Sequence, residues 1–424
     1  MKTVKFYTLG CKVNQYETQS IREQFIKAGF KELEDSQPAD FYIINTCSVT
    51  LRADSESLSL IRRASRENPQ AKIVVTGCLT EMDEDKSKIE KAAKVDLVVK
   101  NKDKNRILEF LNEPNEQTSL THNGISYFKG HTRTFLKIQD GCDNFCSYCK
   151  VPLVRGESKS KALSAAIQEA EALVENDYKE IVLTGICLGA FGRDLKPRLS
   201  LIDAISALEN IEGLLRIRLS SIEAGDICDE LIERIAKSKK LCPHLHIPIQ
   251  SGDDEILQKM KRRYSRKDYL GLIKKIKKQI PGLAITTDVL VGFPGEREEN
   301  FQATLDLVQE IAPLKVHIFP YSPRAGTCAA QLVDKINPLV IKKRMARLKN
   351  IAQECSLTYR KQFLNKDMDV LIEHKLKDDS HFWEGYTSNY IPVIIDSKKD
   401  LKNQLISLKL KQILKDFVRA DFLL

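Results

Sequence analysis

The stretch FLKIQDGCDNFCSYC, residues 135–149, runs from an apolar strand pattern straight into three closely spaced cysteines. Cys142, Cys146 and Cys149 stand in the spacing C-x3-C-x2-C. Thiolates this close together can hold one inorganic centre. Iron–sulfur cubanes normally take four Cys thiolates, one per iron. Three leave one iron open to a substrate or cofactor. The competing reading is a zinc knuckle closed by a distant fourth ligand. Such sites usually pair one C-x2-C with a second, or with a His pair, and no such pair lies nearby. The spacing therefore favours an open cluster over zinc, and over a lone disulfide.

Upstream, residues 1–115 alternate strand and helix patterns. Strands are expected at Val4–Leu9, Phe41–Asn45, Lys72–Thr76 and Asp96–Val99. Helices are expected from Asn14 to Ala28, from Arg52 to Arg66, near 86–93 and over 104–112. Strands separated by helices predict a parallel sheet with crossovers. The first three strands end in YTLGC, IINTC and VVTGC, each followed at once by a cysteine: Cys11, Cys47 and Cys78. In a parallel sheet all carboxyl ends share one edge, where open α/β folds bind ligands. Three cysteines distant in sequence should therefore converge. Three unrelated buried thiols would be the plain alternative, but a repeated position at strand ends favours a second three-ligand cluster.

Downstream, residues 116–132 read as a polar linker, with Pro114 just before and Gly124 and Gly130 within it. Strands are expected at Arg133–Gln139, Glu180–Thr184, Leu214–Leu219, His244–Ile249, Ala284–Leu290 and Leu314–Phe319. Six β units suit an incomplete (β/α) barrel, whose chemistry sits at the carboxyl ends of strands. The polar residues there are Thr184, Gly185, Ser220, Ser221, Glu223, Gln250, Ser251, Asp288, Tyr321 and Arg324. Arg155, just after the cysteine loop, suits a carboxylate or the surface. VGFPGE, residues 291–296, reads as a turn. The last sixty or so residues switch to short strands at Asp369–Glu373, Phe382–Tyr386, Ile391–Ile395, Leu405–Leu410 and Asp416–Asp421, the pattern of a small barrel. Phe382, Trp383, Tyr386 and Tyr390 could stack on bases, with core packing as the commoner use.

Composition sets bounds. The chain has 424 residues, 42% of them hydrophobic and 29% charged, as in an ordinary globular protein of two or three domains. It has no apolar run long enough for a membrane span, and MKTVKFYTLGC reads as a strand, not a signal peptide. Eleven cysteines without a signal point to a reducing compartment and metal binding. The net charge is +9, yet residues 1–120 carry 19 basic and 19 acidic side chains, and residues 364–424 carry 10 of each. Residues 335–363 carry 8 basic and 1 acidic, so the excess concentrates on one expected helix, Ile336 to Phe363. That helix is either a solvated face or a phosphate grip.

The aromatic before the last loop cysteine, Tyr148, makes C-x3-C-x2-C resemble the radical S-adenosylmethionine (SAM) signature. LGCKVNQYET, INTCSVT, TGCLTE, LTGICLG, RLSSIE, HIPIQSGDDEILQKMKRRYS, TTDVLVGFPGE and FPYSPRAGT extend the resemblance over nearly the whole chain. It is similar to the radical-SAM methylthiotransferase family, most of all to the branch acting on N6-threonylcarbamoyladenosine in tRNA. The resemblance implies an α/β fold of three domains: an N-terminal parallel α/β domain over 1–115, a radical-SAM core over 128–360 forming an incomplete (β/α)6 barrel, and a TRAM-like all-β barrel over 361–424.

It also implies two 4Fe–4S clusters. Cys142, Cys146 and Cys149 would hold the one that cleaves SAM, and Cys11, Cys47 and Cys78 an auxiliary one carrying the sulfur to be inserted. Tyr148, Arg155, Thr184, Gly185, Ser220, Glu223, Gln250 and Asp288 become the expected SAM contacts. The expected partners are the anticodon stem-loop of tRNA, an electron donor such as flavodoxin or ferredoxin, and a sulfur source, with no membrane and a cytoplasmic location. The same chemistry on isopentenyladenosine or on a ribosomal protein, and a non-catalytic metal-stabilised RNA-binding protein, are the alternatives. Two positions depart from the family pattern: Cys187 stands where Asn is usual, and Asp253 where Ser is common. Cys228, Cys242, Cys328 and Cys355 are expected to be structural thiols.

Overall fold

The computed structural model describes residues 1–34, 37–113, 124–376 and 381–423. Pro114 and the part of the expected linker over 116–123 lie outside the described residues. The chain divides into two compact units. The first comprises Met1–Lys129, Phe135–Leu173 and Ser322–Ala330, and the second comprises Gly130–Thr134, Val174–Tyr321 and Gln331–Leu424.

The first unit is built on a five-stranded parallel sheet. Its strands are Thr3–Thr8 (β1), Lys31–Glu32 (β2), Phe41–Thr46 (β3), Lys72–Gly77 (β4) and Leu97–Val99 (β5), in the order β2-β1-β3-β4-β5. Side chains alternate across the pleat. Ile43 and Val74 pack on one face with Ile21, Phe25 and Leu108. Tyr42, Ile44, Ile73 and Val75 pack on the other with Ile61, Leu79 and Ile89. The crossovers are Lys12–Lys27 (α1), Leu51–Glu67 (α2) and Asp83–Ala92 (α3). Thr50 caps α2 by accepting from the Ala53 N–H at 3.1 Å. The helix expected over 104–112 is a 3-10 turn, Asn101–Arg106, followed by the short helix Ile107–Phe110 (α4). The two-residue β2 is too short to leave a periodic signal.

Thr134–Lys137 (β6) and Gln139–Asp140 (β7) lead to the cysteine loop. β7 pairs antiparallel with Lys159–Ser160 (β8), Gln139 opposite Ser160 and Asp140 opposite Lys159. This ladder clamps the base of the loop, and Val151–Arg155 (α5) closes its far side.

In the second unit, Glu180–Thr184 (β9) pairs in parallel with Arg216–Leu219 (β10). His244–His246 (β11), Ala284–Val291 (β12) and Lys315–Pro320 (β13) form a parallel sheet in that order, bridged to β10 at Ile217–Leu241. Leu163–Glu175 (α6), which precedes β9 in the chain, lies in the first unit up to Leu173, and Leu201–Glu209 (α7), Asp229–Lys237 (α8), Asp254–Lys259 (α9), Arg266–Gln279 (α10) and Glu298–Ile311 (α11) are the intervening helices. β11 ends three residues short of the expected Ile249. Pro248, which has no N–H for a ladder, accounts for the loss. The basic helix is Pro338–Lys361 (α12), capped by Asn337.

Asp367–Lys375 (β14), Phe382–Thr387 (β15), Pro392–Asp396 (β16), Leu405–Ile413 (β17) and Val418–Phe422 (β18) close a barrel in the order β14-β15-β16-β18-β17. Its core holds Val370, Ile372, Trp383, Val393, Leu408 and Val418. Trp383 donates its indole N–H to the Ser397 carbonyl at 3.2 Å. Tyr386 stacks on Tyr390, centroids 5.2 Å apart, and Tyr390 lies 4.6 Å from the His244 ring. These aromatics pack within the unit; Phe382, half-buried, lies under Arg419.

Glu180, whose side chain is completely buried, gathers three arginines: Arg218 at 2.6 Å, Arg216 at 3.6 Å and Arg133 at 3.8 Å. Burial pushes its carboxyl up, but Arg218 and Arg133 outweigh that and hold it below the usual range. Glu180→Gln keeps the shape and removes the charge. It should lower the unfolding free energy by about 2 kcal/mol. Urea denaturation followed by the fluorescence of Trp383, the chain's one tryptophan, measures this; superimposable curves would show the network to be energetically idle.

Candidate functional site

The carboxyl ends of β1, β3 and β4 lie side by side, with Thr8 paired to Asn45 and Thr46 paired to Gly77. Cys11, Cys47 and Cys78 follow these ends within a residue or three. Two glycines make the close approach possible. Gly10 and Gly77 have φ of +104° and +101°, in the region where only glycine is comfortable. A Cβ on Gly10 would stand 2.8 Å from Cys47 Sγ, and one on Gly77 would stand 2.3 Å from the Thr46 carbonyl oxygen. Gly77→Ala must therefore push backbone against backbone, and should cost about 2 kcal/mol or more. A thermal melt equal to that of the unsubstituted protein would refute this close fit.

Side chains staple the same edge. Asn14 donates to the Leu9 carbonyl at 2.7 Å and the Thr46 carbonyl at 2.9 Å. Asn45 donates to the Asn14 carbonyl and to Thr18 Oγ1, both at 3.0 Å. Thr46 Oγ1 donates to the Thr76 carbonyl at 2.6 Å. Cys47 and Cys78 are buried, and Cys11 caps α1 at the rim. Burial, together with the neighbouring Cys78 and Cys11, pushes the Cys47 thiol up to about 12. Burial pushes the Cys11 thiol up as well. A cation at the edge inverts that preference, because metal ligands bind as thiolates.

A buried ionic knot underlies this edge. Glu17, on α1, receives Lys104 at 2.5 Å, Arg155 at 2.8 Å and Lys137 at 2.9 Å. Arg155 also reaches Asp140 at 3.0 Å and Asn14 Oδ1. Burial pushes the Glu17 carboxyl up, but Arg155, Lys104 and Lys137 hold it well below the carboxylate range. Arg155, expected near SAM, is thus engaged by Glu17, Asp140 and Asn14. Arg155 and Lys104 also lie within electrostatic reach of Cys78. Asn14 and Glu17 lie inside the KVNQYE segment that carried the resemblance; Lys104 had no sequence signal at all.

The loop with Cys142, Cys146 and Cys149 belongs to the same unit. All three are half-buried. Gly141 (φ +71°) permits its entry, since a Cβ there would collide with the Glu157 carbonyl oxygen at 1.9 Å. The Cys142 N–H donates to the Gly156 carbonyl at 3.1 Å, and the Cys149 N–H to the Cys146 carbonyl at 2.9 Å. Half-buried Tyr148 sits between. The next residue, Lys150, is buried and donates to Ser48 Oγ at 3.0 Å while pairing with Asp85. Ser48 directly follows Cys47. Arg324 reaches the same Ser48 Oγ at 3.0 Å and Asp54 at 2.5 Å. One serine hydroxyl therefore ties the loop of one triad to the turn of the other. Arg324, expected at a barrel strand end, folds into this unit.

In the second unit Thr184 is buried and donates to the Val182 carbonyl at 3.0 Å, with half-buried Gly185 after it. Ser220 is buried. Glu223 pairs with Arg262, which lies inside the HIPIQSGDDEILQKMKRRYS segment that carried the resemblance. Gln250 adopts φ +67° and bridges β12, accepting from the Leu290 N–H at 2.9 Å and donating to the Asp288 carbonyl at 2.8 Å. Asp288 contacts His246 at 3.2 Å, and His317 stands in the same group. Asp253, the family departure, caps α9 by accepting from the Ile256 N–H at 3.0 Å, a job serine would also do. Cys187 Sγ lies 3.7 Å from Asp226 Oδ2. Cys242 and Cys355 are buried as expected of structural thiols, whereas Cys228 and Cys328 are exposed; they cap or end short surface segments and do not fill the core.

The basic helix spends part of its charge internally. Arg344 bonds Glu296 at 2.9 Å, Arg347 pairs with Glu298, and Arg360 donates to the Leu414 carbonyl at 3.1 Å. Lys335, Lys342, Lys343, Lys349 and Lys361 face solvent.

Residues 136–308 match the family model described as the radical SAM superfamily, and residues 3–100 match one described as uncharacterized protein family UPF0004. The chain is similar to the threonylcarbamoyladenosine tRNA methylthiotransferase MtaB of Bacillus subtilis, 39% identical over 97% of this chain and 94% of that protein. The protein of the same name from Thermotoga maritima is also 39% identical, over 88% and 87%. A tRNA-2-methylthio-N(6)-dimethylallyladenosine synthase of Clostridium botulinum is 34% identical over 95% and 93%. Among solved structures, the radical S-adenosylmethionine methyltransferase TsrM of Kitasatospora setae shares the fold at 13% identity, with a TM-score of 0.53 over 75% of this chain and 73% of that one. The superfamily match implies SAM and a 4Fe–4S cluster as cofactors. No described helix is long and apolar enough to cross a membrane. With 39% identity running almost end to end, the chain belongs to the radical SAM tRNA methylthiotransferase family.

Proposed function

We propose that this enzyme methylthiolates carbon-2 of N6-threonylcarbamoyladenosine beside the anticodon of tRNA. The reading rests on one observation: two cysteine triads in one folded unit, joined through Ser48 by Lys150 and Arg324. Cys142, Cys146 and Cys149 hold the cluster that engages SAM. Cys11, Cys47 and Cys78 hold an auxiliary cluster; the cradle cut by Gly10 and Gly77 and the three converging thiols fit such a group. When bound, these groups supply a 5′-deoxyadenosyl radical and the sulfur, chemistry that no side chain provides for an aromatic C–H.

The chain's own residues orient and shield. Asn14, Asn45 and Thr46 fix the three turns. Arg155 and Lys104, both bound to Glu17, lie within electrostatic reach of Cys78. Tyr148, Thr184, Gly185, Ser220, Glu223 and Gln250 are the SAM contacts of this reading, whereas Asp288, expected among them, is paired with His246 and is assigned to the substrate instead. Arg155 serves as a positioning residue through Glu17 and Asn14. The exposed lysines of α12 suit the phosphates of an anticodon stem, and an anticodon-loop base is already unpaired, which lowers the cost of presenting it. The domains run 1–115, 128–360 and 361–424. A flavodoxin or ferredoxin supplies electrons, a separate sulfur source reloads the auxiliary site, and the enzyme works in the cytoplasm.

The test is nucleoside mass spectrometry of tRNA from a host that lacks its own threonylcarbamoyladenosine methylthiolation and expresses this chain. The methylthio derivative should appear. Its absence from protein with both clusters loaded would overturn the reading. Cys47→Ala should still form 5′-deoxyadenosine but insert no sulfur; full methylthio transfer by that variant would remove the auxiliary site.

A further inference from the structure

β11, β12 and β13 place an unusual polar group on one face of the second unit. In the parallel register His246 is level with Thr286, and Asp288 with His317. Residues 246, 286, 288 and 317 therefore share a face. The alternate positions Leu245, Ile285, Thr287 and Val289 are buried almost completely. Ligand atoms of His246, Asp288 and His317 all lie within 4.8 Å of one another, and the two imidazoles meet edge-on at 5.6 Å. The side chains of His246 and Asp288 keep 16% and 24% exposure, so the group is reachable from outside.

The group is braced from behind. Thr286 Oγ1 lies 2.9 Å from His246 Nδ1 and 3.0 Å from His244 Nε2. One hydroxyl hydrogen serves one imidazole while the oxygen accepts from the other. That fixes the His246 ring and aims its Nε2 at Asp288, 3.2 Å away. A carboxylate and two imidazoles held this way offer acceptors and donors together, at positions set by strand register and not by flexible loops.

We infer that His246, Asp288 and His317 form the pocket that recognises the polar N6 substituent of the target adenosine. This rests on the functional reading above and names what selects its substrate. The threonylcarbamoyl group brings ureido N–H and hydroxyl donors for Asp288, and carbonyl and carboxylate acceptors for imidazole N–H. A dimethylallyl group brings neither. It would strip water from Asp288 and the two rings and return no hydrogen bond of its own. A site built to hydrogen-bond a substrate rejects an analogue lacking those groups by far more than an apolar pocket rejects a misfit.

The experiment uses enzyme with both clusters loaded and two anticodon stem-loop RNAs that differ only in threonylcarbamoyl or dimethylallyl on the adenosine. The unsubstituted enzyme should favour the first by at least about 100-fold in kcat/KM. His317→Ala and Asp288→Asn should each cut that ratio about tenfold or more, by losing activity on the threonylcarbamoyl RNA, with cluster content and melting temperature preserved. His317→Gln carries the test if Asp288→Asn does not fold. A ratio unchanged in the variants overturns the pocket and leaves the functional reading standing. Dimethylallyl RNA as the sole substrate overturns both. One equivalent of a divalent metal beyond the cluster iron, lost in Asp288→Asn, would also overturn the pocket in favour of a cation site.

Discussion

On the proposed ligand assignment, Cys146→Ala should abolish formation of 5′-deoxyadenosine from SAM, to the background of cluster-free protein. The loop offers no substitute ligand, because its other two cysteines belong to the same proposed donor set and the remaining thiols lie on other elements. The β7–β8 ladder and the Gly141 and Gly156 turns fix the loop independently of that side chain, so the fold persists while the donor set falls to two. If the second triad holds its own cluster as proposed, iron and acid-labile sulfide should drop by about half, one four-iron cluster of two. The measurement is chromatographic detection of 5′-deoxyadenosine after reduction with dithionite, with iron analysis of the same sample. Continued SAM cleavage would show that the loop triad is not where SAM is engaged.

Glu17→Ala is the largest expected loss of stability, about 3–5 kcal/mol. Lys104, Lys137 and Arg155 converge on this one carboxylate, and the side chains of Lys104 and Arg155 are 4% and 2% exposed. Without it, Asp140 alone, at 3.0 Å from both Lys137 and Arg155, offsets three cations. Removing one partner of a buried ionic group leaves charges stranded, which costs more than the pair itself contributes. Chemical denaturation of the apoprotein, where no cluster adds stability, isolates the effect. A change below about 1 kcal/mol would place the knot among the surface-like ion pairs. Glu17→Gln should fall between, since an amide still accepts from one cation.

The cysteines were legible because their information is local and repeated. Three in one loop show their spacing directly, and three after successive strands show their convergence through the one-edge rule of parallel sheets. The closed C-terminal barrel was legible from five short strands for the same reason. What stayed hidden depends on pairs far apart in sequence. Arg155 was open to a carboxylate or the surface, and it binds carboxylates, but Glu17 and Asn14 lie 138 and 141 residues away on α1, beyond any local pattern. Arg324 looked like a barrel residue, yet it meets Ser48 and Asp54 more than two hundred residues upstream. His246 heads the HIPIQ segment and His317 lies in the last expected barrel strand, but neither was singled out as a site residue, since a lone histidine in a strand carries no period; only register brings them beside Asp288. Tyr386 and Tyr390 matched a base-stacking pattern and turned out to shelter arginines, Arg133 and Arg218, at 4.6 and 4.7 Å from their rings.

The knot around Glu180 bears on how this chain can be cut and recombined. Arg216 donates to the carbonyls of Asp369 at 2.6 Å and Tyr386 at 3.1 Å, and Arg218 to that of Ser388 at 2.9 Å. The small barrel's backbone therefore supplies acceptors that β10 cannot find elsewhere in its own strand. Ending the chain before residue 367 would leave two buried guanidinium groups short of acceptors. The C-terminal barrel is thus a keystone, not a detachable appendage. Chimeras that exchange it between relatives must carry the matching arginines with it, and a truncation meant only to weaken RNA binding will first be read as a folding defect.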